Sequence, residues 1–190
     1  MRSIIIAVLA VFAVMGCSFA AEAKSIVIVF SHTGENYNVG KITEGNTMKL
    51  AKIIADKTGS EIFEVKTAKE YPFSYDECID VAKKEQNAKA RPEILGDTDI
   101  AEYDTIYFGY PIWWGDIPMC MYTFIEAHDW NGKTVIPFCT HEGSGAGSTD
   151  RTLKSAMKGA DVKKVTAVRG TVAQNNKAAS EKAVDKMLGR

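Results

Sequence analysis

One short run, Ser25-Ile26-Val27-Ile28-Val29-Phe30, constrains the fold more than any other stretch. Its β-branched and aromatic side chains suit a strand. It shows no alternation of polar and apolar positions, so both faces of that strand must be covered. That is the condition of a parallel sheet held between two helical layers.

The remaining chain supplies those layers. Thr47 to Lys57 carries apolar residues at Met48, Ala51, Ile54 and Ala55, with Leu50 and Ile53 widening the stripe, and Gly59 follows as a stop. Glu61 to Val65 reads as a short second strand. Asp76 to Ala90 is a helical pattern rich in Lys and Glu, ended by Arg91-Pro92. Thr105 to Tyr110 is a third strand, broken by Pro111, which has no N–H to give to a ladder. Pro118 to His128 is a helix with proline near its start. A fourth strand, Lys133 to Phe138, follows the Asn131-Gly132 turn. Asp150 to Lys158 is a helix, Val162 to Val168 a fifth strand, and Asn176 to Leu188 a closing helix. The alternation predicts an α/β fold: a doubly wound five-stranded parallel sheet flanked by helices.

The 190 residues, 46% of them hydrophobic and 25% charged, fit one globular domain, expected over residues 24–190. The formal charge of −1 and the absence of any dense basic stretch exclude a nucleic-acid-binding surface. Met1-Arg2 followed by the apolar run Ile4 to Met15 reads as a secretory signal over residues 1–23, too short for a membrane span. Ala21-Glu22-Ala23 fits the small-x-small cleavage rule. Val14-Met15-Gly16-Cys17 offers an alternative exit resembling a lipobox, which would anchor the protein through an acylated Cys17. Export to the periplasm or medium is the expectation, with the membrane-anchored lipoprotein as the alternative. Cys78, Cys120 and Cys139 show no metal-ligand spacing and no disulfide framework; Cys120 and Cys139 read as small buried hydrophobes.

In an open α/β sheet the ligand lies outside the carboxyl ends of the strands. Three loops leaving those ends have unusual composition, and in the strand order 2-1-3-4-5 they share one rim. After the first strand come Ser31-His32-Thr33-Gly34 and, past an excursion, Gly45-Asn46-Thr47 opening a helix. Hydroxyls and free N–H groups at a helix start make an anion site without a cation. After the third strand, Pro111-Ile112-Trp113-Trp114-Gly115-Asp116 places two of the three tryptophans in one loop, either as core plugs or as a platform for a flat ring. After the fourth comes Thr140-His141-Glu142-Gly143-Ser144-Gly145. His141 is either a hydrogen-bonder within its own loop or a contact for the ring edge. The loops after the second and fifth strands carry no such signal. Neither the nucleotide P-loop nor the dinucleotide glycine pattern is present. H-E-x-x-H fails because position 145 is glycine, and G-x-S-x-G around Ser144 fails because position 142 is glutamate. His128-Asp129, at a helix end, reads as surface polarity.

Taken together, the three loops resemble those of the flavodoxin-like FMN proteins, across essentially the whole chain after the leader. The resemblance implies that FMN is bound non-covalently. Ser31, His32, Thr33, Asn46 and Thr47 would hold the phosphate. Pro111, Ile112, Trp113, Trp114 and Gly115 would embrace the isoalloxazine with Thr140, His141, Glu142, Gly143 and Ser144. The family's compact phosphate loop is here interrupted by Glu35 to Glu44. That insertion would either fold over the ribityl chain or phosphate, with Asn36, Tyr37 or Asn38 as contacts, or form a partner surface. The Gly115-Asp116 peptide would be the flexible edge facing the reduced ring, with Asp116 and Glu142 as nearby negative charges. The resemblance implies an electron carrier without catalytic residues, serving an unidentified redox protein or small-molecule acceptor. An FMN-dependent NAD(P)H oxidoreductase acting on quinones or nitro compounds is the alternative, and a flavin-free binding module the third.

Overall fold

The computed structural model describes residues 23–190, so the expected leader and Cys17 lie outside the described residues. The main sheet is built from β1 (Ser25–Val29), β4 (Glu61–Glu64), β7 (Thr105–Pro111), β8 (Thr134–His141), and the short pair β9 (Asp161–Val162) and β10 (Thr166–Arg169). Its order is β10-β8-β7-β1-β4 and every pairing in it is parallel. Counting β9 and β10 as one position, this is the expected doubly wound order. Around it lie α1 (Asn46–Thr58), α2 (Tyr75–Ala88), α3 (Met119–Glu126), α4 (Thr149–Ala156), α5 (Gly170–Asn175) and α6 (Lys177–Met187). Two small antiparallel pairs complete the structure: β2 (Gly34–Asn36) with β3 (Gly40–Ile42), and β5 (Lys66–Thr67) with β6 (Ile94–Leu95).

The non-alternating first strand is buried on both faces. Ile26, Ile28 and Phe30 pack into one core with Ile106, Phe108, Phe124 and Leu153. Val27 and Val29 pack into the other with Leu50, Ile54, Val168 and Val184. Gly59 ends α1 at φ 71°, a left-handed conformation that glycine adopts at little cost.

Several expected boundaries move, each for an identifiable reason. The fifth strand is not continuous over 162–168. The Val165 N–H donates to Asp150 Oδ1 at 3.0 Å, so the chain leaves the ladder between β9 and β10. The fourth strand runs on to His141 because the Pro111 end of β7 still pairs with Thr140, and the Ile112 N–H donates to the Thr140 carbonyl at 2.8 Å. The closing helix is preceded by an unexpected short helix, α5. His128 is not surface polarity: its side chain is only 7% exposed and bridges the Phe124 and Thr98 carbonyls at 2.8 and 3.1 Å.

Candidate functional site

The carboxyl ends of β1, β7 and β8 lie side by side, and their three loops meet there as expected. In the first loop Gly45 sits at the N-cap of α1 and has no side chain to cap with. Ser31 supplies the cap instead: its Oγ accepts the Met48 N–H at 3.0 Å. A Cβ on Gly45 would drive into Ser31 Oγ and come within 2.6 Å of the His32 carbonyl, so this close approach requires glycine. The N–H groups of Asn46 and Thr47 take no partner among the described residues. Thr47 Oγ1 pairs with Thr140 Oγ1 at 2.8 Å in the interior, tying the start of α1 to the end of β8.

The second loop turns at once. Trp113 and Asp116 exchange backbone hydrogen bonds of 2.9 and 3.0 Å, and the residues between them, Trp114 and Gly115, have φ of 51° and 78°. Positive φ at both central positions defines a type I′ turn. Here the two tryptophans separate. Trp113 packs edge-on against Tyr71, Phe30 and His32, with ring centroids at 4.7, 5.4 and 5.9 Å. Trp114 is 51% exposed and reaches across to α2. Its Nε1–H donates to the Ile79 carbonyl at 2.9 Å, its own carbonyl accepts from Gln86 Nε2 at 3.2 Å, and Lys83 Nζ lies 4.8 Å from its ring. These contacts hold a non-glycine residue in a conformation it adopts at a cost. Asp116 is not among the lining residues: its carboxylate accepts from the Ile117 N–H and the Tyr122 hydroxyl, both at 2.9 Å.

In the third loop the Glu142 carboxylate accepts the Thr171 N–H at 2.6 Å, which starts α5. The loop after the fifth strand, set aside in the sequence, therefore supports the site. Gly170 allows the approach: a Cβ there would lie 2.9 Å from Asn46 Cγ and 3.1 Å from Glu142 Oε1. His141 Nδ1 accepts from the N–H groups of Gly143 and Gly145 at 2.9 and 3.1 Å.

The loops enclose a cavity of about 320 Å³. Of the residues singled out in the sequence, His32, Asn46, Pro111, Ile112, Trp113, Trp114, Gly115, Thr140, His141, Glu142 and Ser144 line it. Ser31 and Thr47 stand behind the lining. Thr33 is exposed and Gly143 shapes its loop at φ 119°. Asn38 sits outside the cavity at the exposed tip of the β2–β3 hairpin, at φ 58°.

A further wall comes from the insertion, where Asn36 and Tyr37 were among the expected contacts, and from α2, which was not legible. The insertion folds as the β2–β3 hairpin and clamps onto α2. The Glu35 N–H donates to the Phe73 carbonyl at 2.8 Å, and the Glu35 carboxylate accepts the Tyr75 N–H at 3.3 Å. The rings of Tyr37 and Tyr75 stack at 5.8 Å. Glu35, Asn36 and Tyr37 from the hairpin, with Tyr75, Cys78, Ile79 and Ala82 from α2, complete the lining. The available signal was Tyr71-Pro72-Phe73-Ser74-Tyr75, three aromatics crowded before a helix.

Glu35 and Glu142 bring the carboxylates of the lining, and no lysine or arginine is among the lining residues. Burial lowers the His32 pKa, and burial with the Arg169 cation lowers that of His141. Burial pushes the Cys78 thiol up to about 12. His32 Nε2 and Asn46 Oδ1 are buried and have no partner among the described residues. Unsatisfied polar atoms at a cavity wall are groups that a ligand or water completes. The chain can thus hold a flat aromatic ring against Trp113 and Trp114 and an anionic tail at the start of α1.

The flavodoxin family profile matches residues 38–184. The chain belongs to the flavodoxin family. Among solved structures, one from Bacteroides uniformis assigned as a flavoprotein is 29% identical, with a TM-score of 0.70 over 88% of this chain and 99% of that one. One from Bacteroides eggerthii, also assigned as a flavoprotein, is 28% identical, with a TM-score of 0.70 over 88% and 97%. A Lactobacillus acidophilus flavoprotein in complex with FMN is 24% identical, with a TM-score of 0.65 over 88% and 99%. No curated protein matches the chain. Each of these three structures covers 88% of this chain.

Proposed function

We propose that this protein is an exported electron carrier that binds FMN non-covalently in the cavity between the strand-end loops and the hairpin. The observation that carries this reading is the pairing of a tryptophan-walled cavity with a helix start whose N–H groups are unpartnered among the described residues. The Lactobacillus acidophilus relative, whose structure contains FMN, supports it. The residues fit that ligand in kind. A phosphate suits the start of α1, where backbone dipoles replace a cation. Trp113, braced by Phe30 and Tyr71, offers a fixed aromatic surface, and Trp114 offers a second one hinged on α2. Bound FMN supplies the one- and two-electron chemistry; the protein orients the ring and limits its contact with water. The −1 formal charge provides no strong field to steer an acidic or basic partner. Export rests on the apolar run Ile4 to Met15 and the Ala21-Glu22-Ala23 exit, with a Cys17 lipid anchor as the alternative.

Purification of the mature protein tests the cofactor reading. One equivalent of FMN, released on denaturation and reversibly reducible, is expected; a colourless protein that takes up no FMN would sink it and favour a flavin-free module. Cell fractionation and intact mass test export. A second reading, an FMN-dependent NAD(P)H oxidoreductase, is favoured by the Tyr37–Tyr75 stack and the apolar face of α2, which line the cavity beyond the strand-end loops. Sustained turnover of NADH or NADPH with a quinone would select it over the carrier; stoichiometric reduction without turnover would select the carrier.

A further inference from the structure

His141 is the last residue of β8, and the loop that follows curls around its ring. Its Nδ1 accepts two backbone N–H groups, from Gly143 at 2.9 Å and Gly145 at 3.1 Å. Both glycines sit at positive φ, 119° and 62°, which is what lets successive amides converge on one atom. A nitrogen that accepts two N–H bonds carries no proton. The single proton of the neutral ring is therefore on Nε2. Nε2 has no partner among the described residues, and His141 is one of the residues that line the cavity, with Thr140 and Glu142 beside it in sequence.

We infer that His141 is a tautomer-locked recognition residue: its Nε2–H donates to an acceptor atom on the edge of the bound ring, and protonation at Nδ1 breaks the loop that holds it there. The inference rests on the FMN reading and deepens it. The cationic ring would present Nδ1–H to two N–H donors, so the imidazolium is incompatible with the loop as folded. The charges around the ring agree. Arg169 stands beside it in register on β10 and opposes a second cation. Glu142 would favour the cation, but its carboxylate is held by the Thr171 N–H at 2.6 Å. Asp116, from the tryptophan loop, is bound to Tyr122. Across the cavity stand His32, Glu35, Tyr37, Tyr75 and Cys78.

The sign follows. The folded pKa lies below the ordinary value of 6.5, so the neutral form is the one the fold and the ligand both select. Its contribution is complete above the unfolded value and is lost as pH falls through the folded one. Once that loss is under way, FMN affinity falls by up to about tenfold per pH unit.

Two measurements test this. The first is nitrogen-15 NMR of the His141 ring in the apoprotein at pH 8. The Nε2–H tautomer is expected; the Nδ1–H tautomer, or fast exchange between the two, overturns the lock. The second is FMN dissociation constants for the wild type, His141→Ala and His141→Asn, from pH 8 down through the His141 pKa that the same ring spectrum locates on titration. Asparagine offers Oδ1 in place of Nδ1 and does not titrate, but its Nδ2–H stands one atom short of Nε2–H. His32 and the ligand phosphate titrate in all three proteins, so the difference between them belongs to His141. At pH 8 His141→Ala and His141→Asn are both expected to bind about tenfold more weakly, the size of one well-placed hydrogen bond, because neither places a donor where Nε2–H stands. Below the His141 pKa the wild type is expected to weaken by up to about tenfold per pH unit more than His141→Asn. Equal pH dependence in wild type and His141→Asn, or undiminished affinity in both variants at pH 8, overturns the inference. If the wild type takes no FMN at any pH, the FMN reading and the donor role fall together, and the ring spectrum still decides the loop lock.

Discussion

The cavity has two walls of different origin. One comes from the ends of β1, β7 and β8, where each loop is anchored to a central strand of a sheet buried on both faces. The other comes from the β2–β3 hairpin and the facing side of α2, joined by two backbone-level hydrogen bonds and a stack of two tyrosines. The first wall is held by covalent continuity with the core. The second is held by contacts that are half exposed, Tyr37 at 56% and Trp114 at 51%. Small changes in the first should therefore be felt as loss of the site, and comparable changes in the second as its loosening.

The largest effect is expected from Gly45→Ala. The added methyl has no room between Ser31 Oγ and the His32 carbonyl. Overpacking of this kind costs about 1–3 kcal/mol. Because it falls on the anion site itself, FMN affinity should drop by up to about a hundredfold, measured by fluorescence titration. A variant that binds like the wild type would show that the start of α1 is not the anion site. Next comes Trp114→Ala, which removes the clasp to Ile79, Gln86 and Lys83. Affinity should fall about tenfold while the thermal midpoint of the apoprotein moves little, since the ring is half exposed. An equal loss of stability and affinity would mean that the two walls are one cooperative unit. Ser31→Ala should cost about 1 kcal/mol of stability, the usual size of a lost helix cap, read as a lower thermal midpoint. The smallest effect is expected from Tyr37→Ala, about 0.5–1 kcal/mol through the lost stack on Tyr75, read as faster FMN dissociation with little change in apoprotein stability.

The same contrast explains what the sequence disclosed. Burial on both faces of β1 leaves a mark in composition, and so does a strand end that must turn at Pro111 and hold positive φ at Gly115. Those demands fall on residue type, and residue type is visible. On α2, Tyr75, Cys78, Ile79 and Ala82 recur at the spacing of any core-facing stripe, so nothing distinguishes a helix face that lines a cavity from one that packs on a sheet. Strands of three residues with polar side chains, as in β2 and β3, lack the length for a periodic signal. The division of the fifth strand depends on the Asp150 carboxylate, and the start of α5 on Glu142, each reaching in from a distant part of the chain. Remote partners of that kind leave no local pattern. The two tryptophans were legible as a pair but not in their separate roles, because the turn that parts them is fixed by α2.

Titration of the apoprotein with FMN, followed by tryptophan emission, tests the central claim most directly. The account predicts saturation at one equivalent with quenching, and binding weakened by up to about a hundredfold in Gly45→Ala. Absence of saturable binding in the wild type, or binding that survives Gly45→Ala undiminished, would contradict it.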